Sequence, residues 1–303
     1  MKIGISGSTG MVGRALKQAF FREGHEVWCF VRPGTRIDGD ENQIFWDYAA
    51  QKIELEKCEK FDAVIHLAGA NIADRRWSAE YKEIIFESRI LGTRFLCQSL
   101  SQLKYPPKVL LSASAVGFYG NHPSEQHIDE VFVAGLDFLA DVCKQWEQAT
   151  QIAQDVGTRV VNLRIGMILS PEGGALKKML PIFKLGLGGN IGSGRQAMSW
   201  IALEEFAPLA AFLIKHESIQ GPVNCVAPGI VTNQDFTKIL GKVLKRTVVF
   251  PLPEFAVKLM FAEMGESLLL GGVRALPNKL LDAGYQFCCP DLETTLKSIL
   301  RAS

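Results

Sequence analysis

Three glycines, at residues 7, 10 and 13 of Gly7-Ser8-Thr9-Gly10-Met11-Val12-Gly13, stand between an apolar run and an amphipathic stretch. Glycine permits a tight turn and lets backbone N–H groups approach a phosphate with no side chain in the way. A G-x-x-G-x-x-G turn leading from a strand into a helix is the arrangement that seats the pyrophosphate of a dinucleotide. Gly7, Ser8, Thr9, Gly10, Met11 and Val12 are therefore the candidate phosphate-side residues. The next informative position is the end of the second strand, where an acid would bond the ribose 2′-hydroxyl of NAD. This chain reads Phe30-Val31-Arg32, with no acid before Asp38. Arginine pairs with a 2′-phosphate and lies against an adenine ring, so the expected cofactor is NADP(H). Asp47, after Phe45-Trp46, reads either as an adenine contact or as a turn residue.

Such residues need a frame that brings strand ends together. Strands are expected at 2–6, 26–31, 61–67, 108–112 and 159–165, where the chain is apolar and rich in β-branched residues. Helices are expected between them at 11–23, 80–100 and 137–155. In the second of these, Ile84, Leu91, Phe95 and Leu96 keep helical spacing. This alternation predicts an α/β fold, a Rossmann-type doubly wound parallel sheet with both faces covered. After residue 169 the rhythm changes. A turn at 170–174 and a glycine-rich connector at 185–194 precede a helix at 204–216 and a strand at 221–227. A smaller α+β unit follows, with a short strand expected at 247–250. The expected division is a dinucleotide-binding domain of 1–168 plus about 196–229, and a substrate-side domain of about 169–195 and 230–303.

Composition narrows the classes. Lysine plus arginine is 33 and aspartate plus glutamate 32, so the formal charge is +1, without the basic excess of a dedicated nucleic-acid binder. With 48% hydrophobic and 21% charged residues, the chain has the makings of a sizeable core. No stretch approaches the roughly 18 apolar residues of a membrane span. The seven cysteines form no C-x-x-C pair, which indicates neither a disulfide framework nor a zinc site. The expectation is a reduced, cytoplasmic protein without a metal, acting on a small molecule, with no nucleic-acid or membrane partner and with a homodimer left open.

The chain resembles the short-chain dehydrogenase/reductase superfamily in its extended, epimerase-like form. The early glycine motif, His66-Leu67-Ala68-Gly69, Leu91-Gly92-Thr93 and Ser112-Ala113-Ser114 carry the likeness. Segments 173–181 (GGALKKMLP), 185–196 (LGLGGNIGSGRQ), 199–201 (SWI), 224–228 (NCVAP) and 276–287 (LPNKLLDAGYQF) resemble one subgroup, the epimerase family proteins with a small C-terminal domain of undefined role. The resemblance implies that Leu67, Ala68, Gly69 and Ile168 also line the cofactor. It implies a substrate bound by the smaller domain, a nucleotide sugar among the possibilities, with Arg195 and Trp200 as the substrate-side candidates. Lys177, Lys178, Lys184 and Arg274 lie in the same half, and the lysines read as a solvated face.

The departures from the family concern chemistry. Its Tyr-x-x-x-Lys pair belongs on the helix that here reads FLADVCKQWE; anchored on Glu147, the pair falls on Leu139 and Cys143. Lys144 is one residue further, about 100° around a helix, and points elsewhere. Losing a positioned acid/base costs roughly 10²–10⁴ in rate. The position four before Thr93 holds Arg89 where relatives carry asparagine, and an arginine there would face the cofactor. Ser114 stands where the family's serine bonds a substrate carbonyl, or else it caps a strand end. Tyr119 is the best remaining phenol near the expected nicotinamide, though it reads more readily as a packing residue. His66 reads as a satisfied core histidine. The expected function is an NADP(H)-binding oxidoreductase or sugar-nucleotide-epimerase-like protein without the usual proton donor; the alternative is an NADPH-binding sensor with little turnover.

Overall fold

The computed structural model describes residues 1–32, 34–35 and 42–301; Asp38 lies outside them. Eight strands of the described residues share one sheet: β1 (Lys2–Ser6), β2 (Glu26–Val31), β3 (Gln43–Asp47), β4 (Lys52–Ile53), β5 (Ala63–His66), β6 (Val109–Ala115), β7 (Arg159–Ile165) and β8 (Gly221–Cys225). Their order is β8-β7-β6-β5-β1-β2-β3-β4, parallel throughout except for the antiparallel β3–β4 pair. The chain moves outward from β1 in both directions, so the loops after β1 and β5 meet at a switch point above the sheet.

Side-chain alternation along each strand builds two cores. Ile3, Ile5, Ala63, Ile65, Leu111, Val161 and Leu163 face α1 (Met11–Arg22) and the helix Phe206–Lys215. Val64, Leu110 and Val160 face the other way, onto α2 (Ala79–Ser101) and its neighbours. Of the four apolar positions expected inward on α2, Phe95 and Leu96 are buried, whereas Ile84 and Leu91 are exposed. The buried stripe there runs instead through Tyr81, Ile85 and Ile90, against Val142.

The helix expected at 137–155 is two: α3 (Phe138–Gln148) and α4 (Gln151–Asp155). The Thr150 hydroxyl donates back to the Glu147 carbonyl at the break (2.7 Å), a side-chain bond that competes with the helical ladder. Among the unforeseen elements are the β3–β4 pair and the helix α5 (Gly174–Lys184). No strand forms at 247–250: the Phe250 amide reaches Gly188 (3.3 Å), and one isolated bridge joins Ile191 to Leu252. A third core joins Leu176, Leu180 and Phe183 of α5 to Phe236 and Leu240 of the helix Asn233–Leu244 and to Leu292, Leu296 and Ile299 of the C-terminal helix. Trp200 is fully buried in it, its indole N–H on the Gly229 carbonyl (2.8 Å). That corrects the expectation of Trp200 as a substrate contact: no ligand reaches the ring. Among the described residues no helix is long and apolar enough to cross a membrane.

Candidate cofactor cleft

The glycine turn is built as its chemistry requires. Gly7 has φ +67°, a conformation open to glycine, and its Cα lies against the Leu67–Ala68 backbone, where a methyl group would sit 2.9 Å from the Leu67 carbonyl. A methyl on Gly13 would overlap the Gly7 carbonyl, which ties α1 closely to the loop. Gly10 is different: it is exposed, and a methyl there meets only the Gly7 oxygen, at 3.2 Å. The Gly10 amide donates to Gly7 (2.9 Å), and no side chain caps α1. Its ladder begins with Arg14 N–H on the Gly10 carbonyl (2.9 Å), so the amides of Met11, Val12 and Gly13 have no acceptor within the helix. Ser8 is buried and its hydroxyl has no partner. An uncapped helix start, an open glycine and an orphaned hydroxyl at one point fit a bound phosphate.

Beneath the turn runs a buried polar chain. Ser6 Oγ accepts the Leu67 and Ala68 amides (3.0 and 3.2 Å), so its own proton goes to His66 Nδ1 (2.6 Å). That assigns the Nε2–H tautomer, which donates to Thr93 Oγ1 (2.9 Å); the Trp146 indole donates to the same oxygen (2.8 Å). Burial holds His66 neutral, its pKa pushed down to about 4. The histidine is a structural link from β1 through α2 to α3.

Around the cleft, Arg32 is exposed at the end of β2, close enough to Tyr48 to act on its phenol. Asp47 accepts the Ala49 and Ala50 amides (2.9 and 3.1 Å) and so is a turn residue. Ile168 is half-buried against the main core, and its carbonyl, with the Met11 side chain, flanks Gly174 at the start of α5. Arg89 leans over Gly69, its guanidinium carbon 3.3 Å from where a Gly69 methyl would be and 5.0 Å from the Trp146 ring. Its one hydrogen bond goes to the Ile85 carbonyl (3.2 Å), and among the described residues no carboxylate pairs with it.

At the far end of the cleft, the described residues at the usual pair's positions are neither a free acid nor a free base. Leu139 and Cys143 project from α3 toward Gly117, whose methyl would lie 3.5 Å from Leu139 Cβ and 4.0 Å from Cys143 Sγ. Burial pushes the Cys143 thiol up to about 12. Lys144 is exposed on another face. Ser114 lies deeper, donating to Glu147 (2.7 Å), which Arg164 grips with two nitrogens (2.8 and 2.9 Å). Ser114 also lies beside the Cys143 thiol, so it stays next to the usual pair's positions, with its proton committed to Glu147. The reading of Tyr119 is corrected. It is 0% exposed, its hydroxyl donates to Asn224 (2.7 Å) and accepts from Arg164 (2.9 Å), and burial pushes it up to about 12. It has no proton to offer the cleft.

On the substrate side Arg195 is exposed at a cavity of about 420 Å³ lined also by Asn121, His122, Ser124, Glu125 and Gly271. Lys177 and Lys184 are exposed, and Lys178, also exposed, reaches the Ala73 carbonyl (3.0 Å). Arg274 is spent on the carbonyls of Ser124 and Ile230 (2.6 and 3.3 Å). A larger groove, about 900 Å³, lies along β3–β4 and the end of α2. None of its lining residues belongs to the glycine turn, the Gly69 turn or α3, so size alone does not mark the site.

A Rossmann sheet with this glycine turn and this second core defines an extended short-chain dehydrogenase/reductase, and the chain belongs to the NAD dependent epimerase/dehydratase family, whose model matches residues 3–225. A domain of unknown function, DUF1731, matches 252–299. Among individual relatives, the epimerase family protein Mb2239 of Mycobacterium bovis is 40% identical over 285 residues, 94% of this chain and 93% of that one. Human epimerase family protein SDR39U1 is 33% identical over 303 residues, 99% of this chain and all of that one. The crystal structure of human SDR39U1 (isoform 2) with NADPH superimposes with a TM-score of 0.89 at 32% identity, covering both chains completely. The Thermus thermophilus UDP-glucose 4-epimerase complex with NAD, at 18% identity and a TM-score of 0.71 over all of both chains, shares the fold.

Proposed function

We propose that this protein binds NADP(H) across the carboxyl ends of β1, β2 and β5, as an oxidoreductase or epimerase-like member of its family that works without the Tyr-x-x-x-Lys pair. The observation that carries the reading is the α1 start: uncapped amides, open Gly10 and the unpartnered Ser8 hydroxyl converge on one point. Gly7, Ser8, Thr9, Gly10, Met11 and Val12 hold the phosphates there, with Leu67, Ala68, Gly69 and Ile168 along the cofactor's edge and Arg32 at the 2′-phosphate. The likeness to a protein crystallised with NADPH supports the choice of cofactor. The Rossmann unit of 1–168 with about 196–229 carries this site. The unit of about 169–195 and 230–303 serves the substrate side, with Arg195 toward an anionic small molecule such as a nucleotide sugar. When bound, the cofactor supplies a hydride donor or acceptor, and the chain's residues orient it and exclude water.

A second reading has its own observation. Gly117, Leu139 and Cys143 leave no proton donor at the reacting end, and Ser114 and Tyr119 are consumed in a buried network. That favours an NADPH-occupied sensor with little turnover.

The cofactor test is titration with NADPH and NADH. A charge-assisted bond to the 2′-phosphate contributes roughly 1.5–3 kcal/mol, about ten- to a hundred-fold in affinity, so NADPH should bind tighter by that factor and Arg32→Ala should erase the difference. Equal affinities in the wild type would refute NADP(H) preference. A stopped-flow screen of nucleotide sugars, aldehydes and ketones separates the two readings. Turnover of common nucleotide sugars at ordinary rates, on the order of 10 s⁻¹, would sink both the sensor and the claim of a missing acid.

A further inference from the structure

Arg89 is a half-buried cation with little to do in the protein alone. One carbonyl, Ile85, takes one of its five N–H donors, and the Trp146 face takes part of its charge. Burial lowers its pKa, and the groups that act on it electrostatically are Cys143 and Tyr81, neither of them a carboxylate. A guanidinium partly withdrawn from water without an anion leaves donors for a ligand to complete.

Its place in the cleft says which part of a ligand. The sheet runs β6-β5-β1-β2. Arg32 stands at β2, the phosphate turn at β1, Gly69 at β5, and Gly117 at β6 with α3 above it. A dinucleotide laid across these ends from the Arg32 side reaches β5 and α3 with its other half. Arg89 comes from α2 over Gly69 and stands beside Cys143. The small, uncharged thiol at 143 leaves both room and potential for the guanidinium; a long cation there would meet Arg89 as a like charge.

We propose that Arg89 is the specificity-determining contact for the nicotinamide-ribose half of the cofactor, and that Arg89 and Cys143 are a matched pair in which the thiol's lack of bulk and charge keeps the guanidinium over Gly69. This rests on the cofactor reading above and assigns a role within it: the cation that orients the reacting half is supplied by α2 and not by α3. The ligand groups it recognises are ribose hydroxyls and the phosphate oxygens next to them.

The test compares two ligands, NADPH and 2′,5′-ADP, which keeps the adenosine half with its 2′-phosphate and lacks the nicotinamide half. Calorimetry on the full chain should show Arg89→Asn weakening NADPH about ten- to a hundred-fold while 2′,5′-ADP changes less than about twofold; retained 2′,5′-ADP binding also shows that the variant is folded. Cys143→Lys alone should weaken NADPH about tenfold through like-charge repulsion. The double variant R89N/C143K should recover to within a few-fold of wild type, a coupling that two independent sites would not show. Equal loss for both ligands in R89N would overturn the proposal, because the contact would then lie on the adenosine half or be structural. Unchanged NADPH affinity in R89N, or additive losses in the double variant, would overturn it as well. A wild-type protein that binds neither ligand would remove the cofactor reading itself, and this inference with it.

Discussion

Two regions at the same edge of one sheet treat polar groups in opposite ways. Above β1 the groups are left open: among the described residues the first amides of α1 lack a side-chain cap, the Ser8 hydroxyl has no partner, and Arg89 nearby has no anion. Above β6 and β7 they are closed on one another. Ser114 bonds Glu147, Glu147 bonds Arg164, Arg164 bonds Tyr119, and Tyr119 bonds Asn224, whose side chain donates to the Leu276 carbonyl (2.8 Å). Open groups at a cleft await a ligand, while closed ones hold elements together. The second network fastens α3, β6, β7 and β8 to the C-terminal segment. The difference teaches that the groups suited to a dinucleotide and those suited to proton transfer are separable in this fold, the first left open here and the second committed to packing.

The contrast breaks most sharply at Gly10. A Cβ there meets only the Gly7 oxygen, at 3.2 Å, so a valine disturbs the protein little but would fill the proposed phosphate position. Gly10→Val should reduce NADPH affinity by at least a hundred-fold, about 2.7 kcal/mol, with an unchanged circular dichroism spectrum. Unchanged affinity would show that the open amides serve something else. On the closed side the expected effect is on stability. The Arg164 and Glu147 side chains are 4% and 11% exposed, and removing one member of a buried pair costs about 3–5 kcal/mol. Arg164→Met should lose that much in urea unfolding, and R164M/E147L should recover most of it. A double variant no better than the single would mean that Glu147 has work in the cleft as well.

The link between the two regions is His66, and it predicts a pH dependence. Its folded pKa, about 4, lies below the usual 6.5 because of burial. Between these values the unfolded chain binds a proton that the folded protein does not. The stabilisation is therefore full above about pH 6.5 and falls as the pH drops toward 4. The shift is about 2.5 pH units, worth about 3 kcal/mol. Unfolding free energies of wild type and His66→Gln, measured from pH 7 to pH 4, should converge by about that amount. Parallel curves would place the ring outside the buried chain.

How far the residues alone announced all this depends on the kind of signal. β1, β2 and β7 are legible because a buried parallel strand is an uninterrupted apolar run, and β7 matches its expected bounds, Arg159–Ile165. The glycine turn is legible because only glycine fits Gly7 and Gly13. β3 was hidden by its short mixed run QIFWD, and the α3–α4 break by the absence of glycine or proline at 149–150. Aromatic identity says nothing about depth, which is why Tyr119 and Trp200 read as site residues and turned out to be core. Ser114 was legible as a polar strand end, but its partner Glu147 was not, because position along a strand gives no distance to a helix packed above it. Gly117, the residue that does face Leu139, carries no side chain to attract notice.

The smallest expected effect lies in a helix that covers the segment after Gly69. The helix Glu254–Gly265 is broken at Ala262, where φ is 49° and ψ −135°. Arg76, from the loop after β5, fastens that helix through the Leu259 and Met260 carbonyls, the latter at 2.6 Å, and Lys82 pairs with Glu263. These contacts hold the break against the segment that follows Gly69. An alanine in that conformation is strained by about 1–3 kcal/mol, and glycine adopts it freely at an entropic cost of about 0.5–1 kcal/mol. The strain is the larger of the two, so Ala262→Gly should stabilise the protein by about 1 kcal/mol, which raises the melting temperature by roughly 2 °C in a chain of this size. The exchange adds and removes no polar contact, so NADPH affinity should stay within about twofold, on a scale where 1.4 kcal/mol is tenfold. A fall in melting temperature would mean that residue 262 is helical in solution and that the cover is one continuous helix. A changed affinity would mean that the cover senses the cofactor through the segment it holds.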